Sequence, residues 1–229
     1  GATDAFIKDI DVADFNQDGK LDIAAVLFST HSLVVFRQDT PTNWTKILNL
    51  PINNLHEGMD VGDIDGDGDI DIAPNGYWVE SPGGQLRNTW IVRAIDSRWH
   101  SDPAGSNFRN NASKVYCQDI NGDGRAEVFI SDSENLEPII WYESANPTGG
   151  SWIAHTIATG YEYVHTLQVC DMDLDGDYDV VTGENAGQVT DARFTVFLNE
   201  GDNLSWTEHV VDSNGTYNSL VGDVEGDTD

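Results

Sequence analysis

A nine-residue acidic segment recurs along the chain, and its spacing limits the fold more than any other feature. Counting within the segment, position 1 is Asp14, Asp63, Asp119 and Asp171, and position 3 is Asn16, Asp65, Asn121 and Asp173. Position 5 is Asp18, Asp67, Asp123 and Asp175, followed by Gly19, Gly68, Gly124 and Gly176. Position 7 is Lys20, Asp69, Arg125 and Asp177, and position 9 is Asp22, Asp71, Glu127 and Asp179. A fifth copy begins at Asp223 and reaches the last residue, Asp229, with Thr228 where the glycine is expected. The copies start 49, 56, 52 and 52 residues apart. Such a period is too long for most helical solenoids and matches a four-stranded propeller blade.

A second landmark travels with the first. Trp44, Trp90, Trp152 and Trp206 each open a short run of β-patterned residues, 17 to 29 residues before the next acidic segment. Two further runs lie between segment and tryptophan, such as Ala126 to Ile130 with Ile139 to Tyr142. Each unit therefore reads strand, acidic hairpin loop, strand, strand, Trp-led strand, with no helical periodicity. The expected fold is all-β, a β-propeller region of four-stranded blades over roughly 5–50, 56–96, 113–158 and 163–211, with a fifth starting at 217–229. Residues 97–112, rich in Ser, Asn, Asp, Arg and Gly, break the period and read as an inserted loop, of the kind that repeat proteins place on one face. The recurring tryptophans read as packing residues, since a ligand platform needs one or two and these occur in every unit.

Charge and composition then remove whole classes of function. With 11 basic against 40 acidic residues the formal net charge is −29, so long-range repulsion excludes nucleic acid and anionic membranes as partners. Disorder is the other expectation for so charged a chain, but 39% hydrophobic and 10% aromatic residues supply enough apolar area for a core. The longest apolar run, Ile23 to Phe28, falls far short of the roughly 20 residues a membrane span needs. No signal-peptide pattern follows Gly1, and a leader removed before it is compatible with that start. Cys117 and Cys170 are too few for a disulfide framework.

The acidic segments have the donor chemistry of a Ca²⁺ site. Carboxylates and amides at positions 1, 3, 5 and 9 put hard oxygens around one point, and the glycine lets the chain turn so that the main-chain carbonyl of position 7 joins them. An EF-hand starts the same way but needs Glu at position 12, where this chain has Ala25, Pro74, Ile130 and Thr182. One isolated copy would read as a solvated acidic turn. Four near-complete copies holding carboxylates this close would repel one another without a cation. The five copies carry 20 of the 40 acidic residues, so half of the acidity is accounted for by metal-site charge.

Loop, spacing and Trp-led strand together resemble the FG-GAP or VCBS-type repeats of integrin-like β-propellers, over essentially the whole chain. The resemblance implies a Ca²⁺ loop between the first and second strands of each blade, hence about four ions, with none expected at the truncated fifth copy. It also implies a partial ring: four blades and a strand are present, whereas propellers of this kind close with about seven. The chain then reads as a fragment or as half of an assembly, for instance a homodimer joined through Ala5 to Asp14 and Tyr217 to Asp229. His56-Glu57-Gly58, Gly76-Tyr77-Trp78, Ile140 to Glu143 and Val164 to Gln168 are similar to bacterial propellers joined to carbohydrate-active domains, and to the propeller part of some sugar dehydratases and polysaccharide lyases.

If the acidic loops join first and second strands, residues entering the first strand and leaving the second lie at the other end of each blade. The entering set is His56, Glu57 and His165, with Tyr217 and Asn218, and the leaving set includes Asn75, Tyr77, Trp78, Glu134, Glu184 and Asn185. First strands line a propeller's channel, so these groups are expected at one mouth, suited to a sugar or to a transition metal held by His and Glu. The bland alternative is that the histidines bond neighbouring loops and the glutamates are solvated. The function expected is a secreted or cell-surface Ca²⁺-binding module for a polysaccharide or a protein. The rival is a sugar-acting enzyme using a His and a Glu as general acid and base.

Overall fold

The computed structural model describes residues 6–28, 30–52, 57–84, 89–100 and 108–222. Four antiparallel four-stranded sheets follow one another along the chain, each a simple meander. The first contains β1 (Ile7–Ala13), β2 (Asp22–Leu27), β3 (Ser32–Thr40) and β4 (Asn43–Pro51). The second contains β5 (Asp60–Gly62), β6 (Asp71–Ala73), β7 (Tyr77–Glu80) and β8 (Ile91–Ala94). The third contains β9 (Ser113–Gln118), β10 (Glu127–Asp132), β11 (Leu136–Asn146) and β12 (Ser151–Glu162). The fourth contains β13 (Val164–Cys170), β14 (Asp179–Glu184), β15 (Phe194–Asn199) and β16 (Trp206–Asp212). The chain is thus all-β, a partial β-propeller of four blades, and among the described residues no helix is long and apolar enough to cross a membrane.

Each of the four acidic segments among the described residues is the hairpin between the first and second strands, closed at one register. Ala13 pairs with Asp22, Gly62 with Asp71, Gln118 with Glu127 and Cys170 with Asp179. The first strands β1, β5, β9 and β13 pack side by side in succession and form the inner wall. The fifth acidic copy lies outside the described residues.

Blades stack through apolar residues at equivalent repeat positions, which explains why these recur. Four residues before each loop stand Ile10, Met59, Val115 and Leu167, and two before it Val12, Val61, Cys117 and Val169. Position 8 is Leu21, Ile70, Ala126 and Tyr178. In blades two, three and four all of these, together with Trp90, Trp152 and Trp206, pack into the apolar cluster shared with the preceding blade. The preceding blade answers with position 2 of its own loop: Phe15, Ile64 and Ile120 lie in those clusters. Phe15 meets Trp90 edge-on at 6.0 Å, and Trp152 Nε1 donates to Ala94 O at 3.1 Å. Burying an aliphatic or aromatic side chain of this size contributes about 1.5–3 kcal/mol, so the stack, rather than any isolated sheet, carries the stability.

The insertion after β8 is more than a loop. A 3-10 turn over Ser97–His100 drives Trp99 into the cluster between blades two and three, where its Nε1 donates to Tyr142 Oη at 2.7 Å. Tyr142 Oη in turn donates to Asp96 Oδ2 at 2.9 Å, so the insertion's start is pinned to the third blade. Cys117 and Cys170 are both free thiols.

Candidate metal centres

The four loops share one hydrogen-bonded frame. Gly19, Gly68, Gly124 and Gly176 have φ between 84° and 102°, left-handed conformations that a side chain would strain. Each donates its N–H to the position-1 carboxylate, at 2.7 Å to Asp14, 3.0 Å to Asp63, 2.9 Å to Asp119 and 3.0 Å to Asp171. The position-5 carboxylates of Asp18, Asp67, Asp123 and Asp175 accept from the N–H of Lys20, Asp69, Arg125 and Asp177 at 2.9–3.0 Å. The position-9 carboxylates are buried and tie the loop to the sheet. Asp71 accepts from Ile64 and Ser81, Asp179 from Met172 and Asn199, Glu127 from Ile120 and Asp22 from Gln38, all at 2.8–3.1 Å.

Lone pairs on these oxygens remain over after the frame is built, and the oxygens converge. Ligand oxygens of Asp63, Asp65 and Asp71 lie within 4.8 Å of one another, as do those of Asp171, Asp173 and Asp179. Oδ2 of Asp22 and Oδ1 of Asp171 are buried with no hydrogen-bond partner among the described residues. Burial first, and then the charge of Asp65 and Asp67, push Asp71 up to about 8, and burial pushes Glu127 up to about 7. Asp22, Asp65, Asp69 and Asp179 are raised by burial, with neighbouring carboxylates adding to it. A hard divalent cation removes this cost, because it satisfies the spare lone pairs and cancels the repulsion. The donor set fits Ca²⁺.

The loops fall into two kinds. In the second and fourth, all five alternate positions are aspartates. In the first and third, Asn16 and Asn121 stand at position 3, and Lys20 and Arg125 pair with Asp18 and Asp123. The Lys20 hydrogen bond holds the Asp18 carboxyl below its ordinary value. These two cations lower the charge that attracts an ion to the first and third loops.

At the opposite end the inner strands enclose a trough of about 870 Å³. Of the residues expected at this mouth, His165 and Asn218 line the trough, and Glu57 lies near both His165 and Glu134. Glu57 accepts from Ser133 Oγ at 2.5 Å and pairs with Lys8 at 3.0 Å. Burial opposes its ionisation, but Lys114, the Ser133 hydroxyl and Lys8 outweigh it and hold the carboxyl below its ordinary value. Glu134 lies 3.8 Å from Arg109, and His165 stacks on Tyr217 at 4.7 Å with its pKa lowered by burial. His56 lies outside the described residues. Three expected residues stand elsewhere. Trp78 is fully buried in the cluster between blades two and three, and Tyr77 meets His100 edge-on at 5.7 Å. Glu184 pairs with Arg193 at 3.0 Å and accepts from the N–H of Glu162. Tyr77 and Trp78 open the third strand of their sheet and Glu184 ends the second strand of its own, beside the insertion and an arginine respectively.

The trough also holds groups that sequence reading passed over: Asp9 and Asp11 on β1, Asp60 on β5, and Lys114 and Tyr116 on β9. Burial and then the adjacent Asp11 push the Asp60 carboxyl well up. The alternation of Asp9 and Asp11 before the loop was the available signal, masked by the acidity of the loops themselves.

A model of the FG-GAP-like repeat matches residues 14–73 and 119–182, more than half of the chain. Each match starts at position 1 of an acidic loop and ends in the second strand of the next blade. No curated protein matches the chain. Loop chemistry, blade period and family match agree: the chain belongs to the family of FG-GAP-like repeat proteins.

Proposed function

We propose that this propeller is an extracellular binding module in which Ca²⁺ ions, one in each of the four acidic loops, lock the hairpins, while the trough at the other end takes a polar ligand, a glycan or a protein. The observation that carries this reading is the trough itself, built jointly by the inner strands of all four blades and lined by carboxylates, ammonium groups, a phenol and amides. Its volume of about 870 Å³ falls in the range of ligand sites. Tyr116, pushed up to about 12 by burial and nearby acids, stays a hydrogen-bond donor at any physiological pH. With Gln168 and the Lys114 ammonium it offers the mixture that hydroxyl-rich ligands need. A fold that depends on Ca²⁺ suits the outside of the cell, where the ion is abundant.

The enzyme reading asks Glu57 or Glu134 to move protons with His165. Glu57 is bound at both oxygens, by Ser133 and Lys8, which suits a structural carboxylate better than a general base. The test is calorimetry of the Ca²⁺-loaded protein against a panel of oligosaccharides, with Lys114→Ala and Gln168→Ala beside it. A ligand should bind, and each variant should weaken it about tenfold, the worth of one hydrogen bond to a charged or well-placed group. Variants that bind as tightly as the parent would place the site elsewhere.

A further inference from the structure

We propose that Asp11 on β1 and Asp60 on β5 share a single proton and so form a pH-operated latch between the inner strands of the first two blades. An ionised carboxylate has only acceptor oxygens, so a hydrogen bond between two carboxyl groups requires that one of them be protonated. The side chains of Asp11 and Asp60 are joined by such a bond. Each is also held in place by the backbone: Asp11 Oδ1 accepts from Val12 N–H at 2.7 Å, and Asp60 Oδ2 accepts from Cys117 N–H at 2.6 Å. Asp60 therefore touches the inner strands of the first and third blades as well as belonging to the second. The two acids occupy one repeat position, three residues before their loops, where the later blades carry Tyr116 and Gln168.

Among the described residues the cations of the trough are engaged elsewhere. Lys8 pairs with Glu57 at 3.0 Å, and the charge of Lys114 acts on Asp9 and Glu57, whose ionised forms it favours. His165 on β13 has its pKa lowered by burial and adds no charge at neutral pH. The other groups facing the pair are Asp9 on β1, Asp71 on β6 and, on β9, Tyr116 and Cys117, whose phenol and thiol are pushed up by burial and then by the charge of Asp60 and Asp11. Two carboxylates at hydrogen-bond distance and partly removed from water repel each other strongly, and one proton relieves this. Burial and then the bond to Asp11 raise the Asp60 carboxyl. The latch therefore stabilises the fold at low pH, and this stabilisation is lost as pH climbs from the ordinary carboxylate value through the raised one. Once the shared proton leaves, two negative charges face each other across β1 and β5, and the wall of the trough loosens between the first two blades. The device needs no ligand in the trough.

The test is carbon NMR of the side-chain carboxyls in the full chain with excess Ca²⁺, beside thermal melts over the same pH series. In the parent the pair should titrate in two steps, the second above the ordinary carboxylate range. Asp11→Asn removes the shared proton and leaves an amide to donate to the Asp60 carboxylate, so the Asp60 titration should fall back towards its ordinary value. Relative to this variant, the unfolding constant of the parent should rise by up to about tenfold per pH unit while the shared proton is being lost. Asp60→Asn keeps a carbonyl to accept from Cys117 and an amide to donate to Asp11, and should give the same relative profile. Ordinary, independent titration of the two carboxyls in the parent would overturn the proposal. So would melting profiles of the parent and both variants that run parallel with pH.

Discussion

Asp71 shows at one residue why the loops call for a cation. It is buried, both its oxygens accept backbone N–H groups, and its carboxyl is raised from 3.8 to about 8. Glu127 is raised from 4.5 to about 7. A raised carboxyl means that the folded chain holds its proton more tightly than the unfolded chain does. Its contribution is therefore present at low pH and is lost as pH climbs from the ordinary value towards the raised one. In chelator, thermal stability should fall between about pH 4 and pH 8, by up to about 1.4 kcal/mol per pH unit for each group titrating. Bound Ca²⁺ favours the ionised form, so the same scans in excess Ca²⁺ should flatten or reverse that slope. Parallel pH profiles with and without the ion would contradict the account.

At the scale of the element, the repeat predicts which tryptophan matters. Trp152 packs into the cluster between blades two and three and donates to Ala94 O, while Trp44 at the equivalent position of the first sheet is exposed. Trp152→Ala should cost about 3–5 kcal/mol, and Trp44→Ala in the monomer less than about 1 kcal/mol; equal losses in chemical denaturation would refute the stacking rule. Much of this was legible in the sequence. The loops, their place between first and second strands and the Trp-led fourth strand all follow from local chemistry repeated at one period. What escaped reading depends on contacts between blades. Trp99 looked like part of a polar insertion because its partners, Tyr142 and the blade cluster, are some 40 residues away along the chain. Trp78 looked like a mouth residue and is core, since its alternation within a four-residue strand is too short to show which face it takes. Asp11 and Asp60 meet across two first strands, a proximity that no spacing within one repeat records.

For the whole molecule, a net charge of −29 on 229 residues works against compactness. The acidic loops concentrate much of that charge on one rim of the propeller, so cations held there would act on the whole fold as well as on each hairpin. Added NaCl should raise the melting temperature of the chelated protein by shortening the screening length from about 30 Å at 0.01 M to about 10 Å at 0.1 M. In saturating Ca²⁺ the same addition should matter much less. A salt effect of the same size in both conditions would mean that the repulsion lies outside the loops.

The central claim is that the acidic loops hold Ca²⁺ and that the ions hold the blades. Native mass spectrometry of the protein titrated with Ca²⁺, read beside its melting temperature, tests it most directly. The account predicts four ions per chain, the first two lost on Asp67→Ala and Asp175→Ala because those loops carry five aspartates, and a melting temperature that rises with the logarithm of free Ca²⁺. No bound ion, or a melting temperature unchanged by excess chelator, would contradict it.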